Sequence, residues 1–149
     1  MRMLVDADAC PVKQNIVRIA KGRQIPVTML IDTSHVLSDD YSTVISVDKQ
    51  RDGVDFKLMQ LLKRNDIVVT QDYGLAAMAL GKGAHALNQN GLVFSDENID
   101  ALLMQRHVSA KKRRAGGRTK GPPKRTLEDD MRFDLALNAI IDSALTQAP

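Results

Sequence analysis

The chain has 149 residues, of which 44% are hydrophobic and 26% charged, a balance typical of one globular domain with a real core. Aromatic residues make up only 3%, which argues against a nucleic-acid platform built from stacked rings. The single cysteine, Cys10, excludes an internal disulfide and a thiolate zinc cluster. No signal-like or bilayer-spanning apolar run is present, so a cytoplasmic location without membrane contact is expected.

Positive charge is concentrated in one stretch of the chain. Residues 106–125 hold nine of the 21 Lys and Arg residues and none of the 18 acids, although the formal net charge is only +3. The remainder is therefore net acidic. A basic segment on an acidic body favours a polyanionic partner such as nucleic acid, and a homo-oligomer is left open.

Apolar runs alternate with helical patterns along most of the chain. Strands are predicted at Arg2–Val5, Val27–Ile31, Val44–Val47, Ile67–Thr70 and Ala84–Leu87. Helices are predicted at Pro11–Lys21, Asp55–Arg64 and about Leu75–Leu80, and in a segment capped by Ser95 that carries Ile99, Leu102 and Leu103. This alternation predicts an α/β fold with a parallel sheet of about five strands between helices. In such sheets the working site lies at the carboxyl ends of the strands, where the strand order reverses.

The carboxyl-terminal third has a different composition. Residues 109–125 contain glycine, proline and basic residues with almost nothing apolar, which predicts a flexible basic arm. Thr126 and Asp129 resemble a capping box that begins a last helix, extending to about Leu145. Because its apolar residues cover a broad sector, this helix is expected to dock on the core. The predicted organisation is therefore a core (1–108), an arm (109–125) and a docked helix (126–149).

Four aspartates converge in this scheme. Asp6 and Asp8 end the first strand and Asp72 follows the fourth, and these strands are neighbours in a sheet ordered 3-2-1-4-5. Asp55 shares a helix face with Leu58, so it is predicted to point at the sheet rather than at water. Clustered carboxylates repel one another, and Mg²⁺ or Mn²⁺ would remove that penalty. The predicted chemistry is metal-assisted phosphodiester hydrolysis in a nucleic acid.

Other readings of the same residues stay open. Asp-x-Asp after an apolar strand is also the first motif of haloacid-dehalogenase-like phosphatases, with Asp6 as nucleophile and Asp8 as acid/base. Each aspartate taken alone also fits a helix cap. Cys10 fits a packing role better than a nucleophilic one, and Thr70 could bond a phosphate or a carboxylate. A non-catalytic nucleic-acid-binding protein would need only the basic residues Lys111, Lys112, Arg113, Arg114, Arg118, Lys120, Lys124 and Arg125.

Several motifs are specific enough to compare with known families. They are Leu-Val-Asp-Ala-Asp-Ala-Cys-Pro-Val, Asp-Gly-Val-Asp-Phe, Asp-Ile-Val-Val-Thr-Gln-Asp-Tyr-Gly-Leu-Ala and the Lys-Lys-Arg-Arg…Gly-Pro-Pro-Lys-Arg arm. Over nearly the whole chain they closely resemble the bacterial YaiI/YqxD family, which is grouped with PIN-like domains. PIN-like domains are metal-dependent nucleases with a 3-2-1-4-5 sheet.

That resemblance implies site residues and a cofactor. Asp6 would be the first-strand acid, Asp55 the helix acid and Asp72 the fourth-strand acid. PIN nucleases usually carry a further acid shortly after Thr-x-Asp, but Tyr73 and Gly74 stand there, so Asp8 would serve instead. The resulting expectation is a Mg²⁺- or Mn²⁺-dependent nuclease that prefers RNA.

Overall fold

One six-stranded sheet organises the chain in the computed structural model, which describes residues 1–32, 38–48, 53–117 and 123–147. The strands are β1 (Met3–Asp6), β2 (Val27–Asp32), β3 (Thr43–Val47), β4 (Ile67–Val69), β5 (His85–Leu87) and β6 (Val93–Phe94). The helices are α1 (Lys13–Gly22), α2 (Val54–Leu61), α3 (Tyr73–Gly81), α4 (Ile99–Arg114) and α5 (Leu127–Gln147). The order β3-β2-β1-β4-β5-β6 confirms the α/β fold and the predicted 3-2-1-4-5 arrangement, with β6 added at one edge.

The sheet is parallel from β3 to β5, and its central strands are buried on both faces. This burial explains why β2 and β4 are almost continuously apolar rather than alternating. Successive side chains still point to opposite faces, so Met3 and Val5 enter one core while Leu4 enters the other. The first core holds α1 and α5, and the second holds α2, α3 and α4.

Strand β6 is an addition that the sequence pattern did not predict. It has two residues and pairs antiparallel with β5 across a turn at Asn88–Gly91. The Asn88 side chain accepts bonds from the amides of Asn90 and Leu92, and Gly91 has a φ of +83°. A Cβ atom at Gly91 would lie 2.7 Å from the carbonyl oxygen of Arg132, so only glycine lets α5 approach this turn. A two-residue strand is too short for a recognisable alternation.

Two helices begin or end elsewhere than predicted. α1 starts at Lys13 rather than at Pro11, because the chain first makes a turn in which the Cys10 amide donates to the Ala7 carbonyl at 3.3 Å. α2 ends at Leu61 rather than at Arg64, because the buried Asp66 carboxylate accepts a bond from the Lys63 amide at 2.8 Å. Both differences come from local hydrogen bonds that compete with the helix.

The helix α4 corrects the predicted boundary of the basic arm. Residues 109–114, expected to be flexible, form its last turns. Ser95 does not cap it with its side chain; the helix begins after Asn98. Four basic residues lie in its last turn, where cations interact favourably with the negative end of the helix dipole. None of the helices in the described ranges is long and apolar enough to cross a membrane.

The last helix, α5, packs on the core as expected. Its amino-terminal end carries the predicted capping box. The Thr126 amide donates to the Asp129 carboxylate at 2.8 Å, and the Asp129 amide donates to Thr126 Oγ1 at 3.3 Å. Phe133, Leu137 and Ile141 are fully buried against α1 and the sheet. The burial of these side chains shows that α5 is an integral layer of the fold.

We expect Leu137→Ala to lower the free energy of unfolding by about 2–5 kcal/mol, because it leaves a cavity under α5. Leu135→Ala is the matched control, since Leu135 is on the same helix and 72% exposed. Its effect should stay within about 0.5 kcal/mol. Urea unfolding followed by circular dichroism measures both, and equal effects would mean that α5 is not packed as described.

Candidate active site

The candidate site lies where β1 and β4 end side by side. Val5 is in register with Val69, so the next residues, Asp6 and Thr70, lie level with each other at the carboxyl edge. The hydroxyl of Thr70 donates to Asp6 Oδ2 at 3.0 Å, and Thr70 itself is buried. A strand order that reverses between β1 and β4 therefore places an acid and a hydroxyl at the switch point.

Thr70 also links Asp6 to the third predicted acid. Its hydroxyl oxygen accepts a bond from the Asp72 amide at 3.0 Å. Because a hydroxyl has one proton, accepting from this amide leaves that proton for Asp6. Thr70, for which the sequence allowed either a phosphate or a carboxylate partner, thus holds the Asp6 carboxylate in one orientation.

A tight turn returns Asp8 to the end of β1. Ala9 takes a left-handed φ of +56° in this turn, and the backbone amide of Asp32 donates to Asp8 Oδ2 at 3.2 Å. Asp6 and Asp8 then line one recess of about 30 Å³, enough for a water-sized ion. The other residues around the recess are Cys10, Val69, Thr70, Gln71 and Gln89.

Asp72 stands beside this recess rather than lining it. Its Oδ1 accepts a bond from the Leu75 amide at 3.1 Å, so it caps α3. The same oxygen lies 3.3 Å from the guanidinium of Arg106 on α4. The capping interpretation is therefore confirmed for Asp72, and its carboxylate also forms an ion pair with Arg106.

Asp55 differs from its prediction. It lies in the first turn of α2 as expected, but its side chain is exposed, so the expectation that it is turned from water is wrong. The first turn faces the carboxyl edge of the sheet, where helix ends are open to solvent. Its charge nevertheless acts on Asp6, as do the charges of Asp8 and Asp72.

Burial and neighbouring charge both disfavour ionisation of Asp6. Burial raises the pKa of its carboxyl above the ordinary value of 3.8, and the charges of Asp8, Asp72 and Asp55 raise it further. The Thr70 hydrogen bond acts in the opposite direction. The site therefore concentrates negative charge around one half-buried carboxyl group, which is the electrostatic condition that a bound cation relieves.

The donor atoms suit a hard divalent cation, but fewer carboxylates than predicted are placed to hold it directly. Within the described part of the chain no three His, Cys, Asp or Glu side chains are grouped to hold one ion. Mg²⁺ commonly takes only one or two carboxylates and completes its shell with waters and substrate oxygens. Asp6 and Asp8 in a water-sized recess fit that pattern, whereas Asp72 and Asp55 contribute charge from outside it.

The predicted phosphate-binding residues divide into several groups. Those at the end of α4 are exposed: Lys111, Lys112, Arg113 and Arg114. Lys124 is exposed as well, while Arg118 and Lys120 lie outside the described residues. Arg125 has a different role, because its guanidinium bonds Asp130, Asn90 and the Gln89 carbonyl at 2.7–2.8 Å. Arg125 thus connects the start of α5 to the Asn88–Gly91 turn, whose Gln89 lines the recess.

Several residues near the site were not predicted from the sequence to belong to it. Arg106 belongs to the basic stretch, but its contact with Asp72 depends on α4 packing against α3. Gln71 lies between Thr70 and Asp72, and Gln89 is the second residue after β5. A polar residue two positions after a parallel strand was the available signal for both.

Cys10 lies at the edge of the recess. Burial raises the pKa of its thiol, and the backbone hydrogen bond at Val12 and the nearby Lys13 charge only partly oppose this. A thiol that keeps its proton is a poor nucleophile, in agreement with the predicted packing role.

Fold and site together define an α/β protein with carboxylates gathered at the switch point of a 3-2-1-4-5 sheet. The chain belongs to the YaiI/YqxD family, whose model, described as "Uncharacterized BCR, YaiI/YqxD family", matches residues 4–143. The family resemblance drawn from the sequence motifs is therefore confirmed.

Relatives and one solved structure extend the comparison. A UPF0178 protein of Ruminiclostridium cellulolyticum is 64% identical over 137 residues, covering 92% of this chain and 90% of the relative. A UPF0178 protein of Clostridium acetobutylicum is 51% identical over 143 residues, covering 95% and 97%. The crystal structure of Rae1 (YacP) from Bacillus subtilis aligns with a TM-score of 0.48 and 14% identity, covering 96% of this chain and 99% of the other.

The raised pKa of Asp6 predicts a pH-dependent stability. The folded state keeps the Asp6 proton to a higher pH than the unfolded chain does, so stability falls as pH rises from 3.8 through the raised value. Without divalent ions, Asp6→Asn should therefore unfold at higher urea than the wild type at pH 7. This advantage should shrink as the pH approaches 3.8.

Urea midpoints measured in EDTA across this pH range test the expectation, with Asp100→Asn as control because Asp100 is an exposed acid on α4. A wild type more stable than Asp6→Asn at pH 7 would contradict it.

The Thr70 bond gives a second prediction for the same carboxyl. Thr70→Val removes the donor that favours ionised Asp6, so the pKa of Asp6 should rise further, while Thr70→Ser should keep it near the wild-type value. An NMR titration of the Asp6 side-chain carbon compares the three proteins. An unchanged titration in Thr70→Val would mean that this bond does not orient Asp6.

Proposed function

We propose that this protein is a Mg²⁺- or Mn²⁺-dependent nuclease that hydrolyses phosphodiester bonds, with RNA as the favoured substrate. The observation that carries the proposal is the recess at the β1–β4 junction, which Asp6 and Asp8 line together. Two further carboxylates, Asp72 and Asp55, act electrostatically on Asp6. Such a concentration of acids is costly for a merely structural feature, because each additional charge disfavours ionisation of the others.

The recess suits hydrolysis more than simple ion storage. Asp6 is held by Thr70 in a fixed orientation, and Asp8, which accepts a bond from the Asp32 amide, lines the same space. When bound, a divalent ion would lower the pKa of a coordinated water and neutralise charge on the leaving oxygen. Asp6 would be its principal ligand, and Asp8 a second ligand or the base that accepts a proton from the attacking water.

The surroundings favour a phosphodiester as substrate. Arg106 stands beside Asp72, and the exposed cations of α4 continue away from it along the helix. A polyanion brought to a group of carboxylates needs positive charge nearby to offset their repulsion. The resemblance of the motifs to PIN-like domains supports the same substrate class and gives the preference for RNA.

The direct test is cleavage of a labelled single-stranded RNA with Mn²⁺ and with EDTA. Wild-type protein should cleave only with Mn²⁺, and Asp6→Asn should lower the rate by roughly 100-fold or more, because it weakens the principal ligand. The control Asp100→Asn carries the same change of charge on α4 and should retain wild-type activity. Calorimetry without RNA should give a Mn²⁺ binding heat that Asp6→Asn and Asp8→Asn lose and Asp100→Asn keeps.

The same preparations separate the alternatives. Release of phosphate from small phosphomonoesters, dependent on Asp6 and without RNA cleavage, would favour the haloacid-dehalogenase-like phosphatase. RNA binding that is unaffected by Asp6→Asn, together with no cleavage, would favour a non-catalytic binding protein. Absence of Mn²⁺ binding to the wild type would remove the metal-dependent mechanism altogether.

A further inference from the structure

Three hollows lie next to one another at and beside the carboxyl edge of the sheet. The central one is the recess lined by Asp6 and Asp8. A groove of about 700 Å³ beside α1 shares Cys10 with it, and a hollow of about 290 Å³ beside α4 shares Gln71 with it. Because each neighbouring pair shares a lining residue, the three hollows adjoin one another, and together we call them the edge trough.

The edge trough crosses the sheet from one face to the other. Its first part is formed by α1, which packs on the face that also holds α5. Its last part is formed by the start of α3 and by α4, which pack on the opposite face. The acids therefore lie in the middle of the trough, between the two layers of helices.

Each end of the edge trough carries a cation next to its acidic middle. Lys13 lines the α1 groove, and its charge acts on the Cys10 thiol at the border of the recess. Arg106 and Arg113 line the α4 hollow together, because residues seven apart lie on one face of a helix. Arg18 and Asp39 also line the groove, but Arg18 pairs with Asp134 at 2.7 Å and Asp39 accepts bonds from the amides of Tyr41 and Ser42.

The α4 hollow also offers a surface for a base. The ring of Tyr73 lines it and is held in place by edge-to-face packing on Phe94, with ring centroids 5.6 Å apart. Bases stack on aromatic side chains when they are unpaired, whereas a duplex keeps its bases stacked on each other. This hollow therefore favours a single strand over a duplex.

We propose that the edge trough is the binding track for a single polynucleotide strand. Lys13 contacts its phosphates on one side of the acids and Arg106 with Arg113 contacts them on the other. The strand then passes over the recess with one phosphodiester facing Asp6 and Asp8. The track adds a substrate-binding surface to the proposed nuclease function. Only the position of one phosphodiester opposite Asp6 and Asp8 rests on that function. Arg106 can bond Asp72 and a phosphate together, since a guanidinium has five N–H donors.

The test measures binding without metal, so cleavage does not enter it. A fluorescein-labelled single-stranded RNA of about 12 nucleotides, a length within the usual range of single-strand sites, is titrated in EDTA and followed by fluorescence anisotropy. Lys13→Ala and Arg106→Ala should each weaken binding about three- to tenfold. Each should also reduce the slope of log affinity against log salt by about 0.7, the value for one lost phosphate contact on a single strand.

The matched controls are Lys21→Ala and Lys63→Ala. Lys21 lies at the other end of α1 and Lys63 precedes β4, so both are exposed cations at the opposite edge of the sheet. They remove the same net charge as the track variants and should change affinity less than about twofold, since charges beyond a Debye length are screened. The double variant Lys13→Ala/Arg106→Ala should show the product of the single effects, as expected for separated contacts on one ligand.

The outcomes separate the track from the proposed catalysis. Weaker binding in the track variants only, with or without Mn²⁺-dependent cleavage, supports the track. Equal losses in Lys13→Ala and Lys21→Ala would overturn it, because binding would then depend on net charge alone. Normal cleavage with unchanged RNA affinity in both track variants would also overturn it, while leaving the nuclease proposal standing.

Discussion

A hydrogen bond across the two central strands sets the geometry of the site. The Thr70 hydroxyl, at the end of β4, accepts from the Asp72 amide and donates to Asp6 at the end of β1. It therefore joins the strand junction, the start of α3 and the Asp6 carboxylate in one short chain of contacts. The bond also partly offsets the cost of holding Asp6 where burial and three other carboxylates oppose its charge. The orientation of the acids depends on this arrangement, and so does any chemistry in the recess.

The structure is arranged so that the layers that stabilise the fold leave the carboxyl edge open. The apolar strands are covered by α1 and α5 on one face and by α2, α3 and α4 on the other. The helices that start at this edge, α1, α2 and α3, present their first turns to it, and with them the residues that follow the strands. Arg125 adds a structural restraint from outside the sheet, since it holds the turn containing Gln89 against the beginning of α5. Rigid packing below the edge is what lets a few polar side chains keep fixed positions above it.

Charge at the carboxyl edge is arranged with acids at the centre and a cation on each side, Lys13 on α1 and Arg106 on α4. Such an arrangement attracts a polyanion at the flanks while keeping a strongly negative centre that a cation can neutralise. It also explains why Arg106 contacts Asp72: the ion pair lowers the repulsion among the acids without entering the recess. The pair is half-exposed and so contributes little to stability, which leaves the arginine available to a phosphate.

The sequence by itself determined the alternation of strands and helices, the capping box at Thr126 and the gathering of Asp6 and Asp8 at the end of β1, and the resemblance of its motifs to PIN-like domains predicted the strand order. These features depend on apolar patterns and on short motifs, which local sequence contains. Tertiary structure decided the rest. It brought Arg106 to Asp72, gave Thr70 its partner and Arg125 its structural role, exposed Asp55, and extended α4 through residues 109–114. Each of these depends on contacts between residues far apart in the chain, or on which side of a helix meets solvent, and no local pattern encodes either.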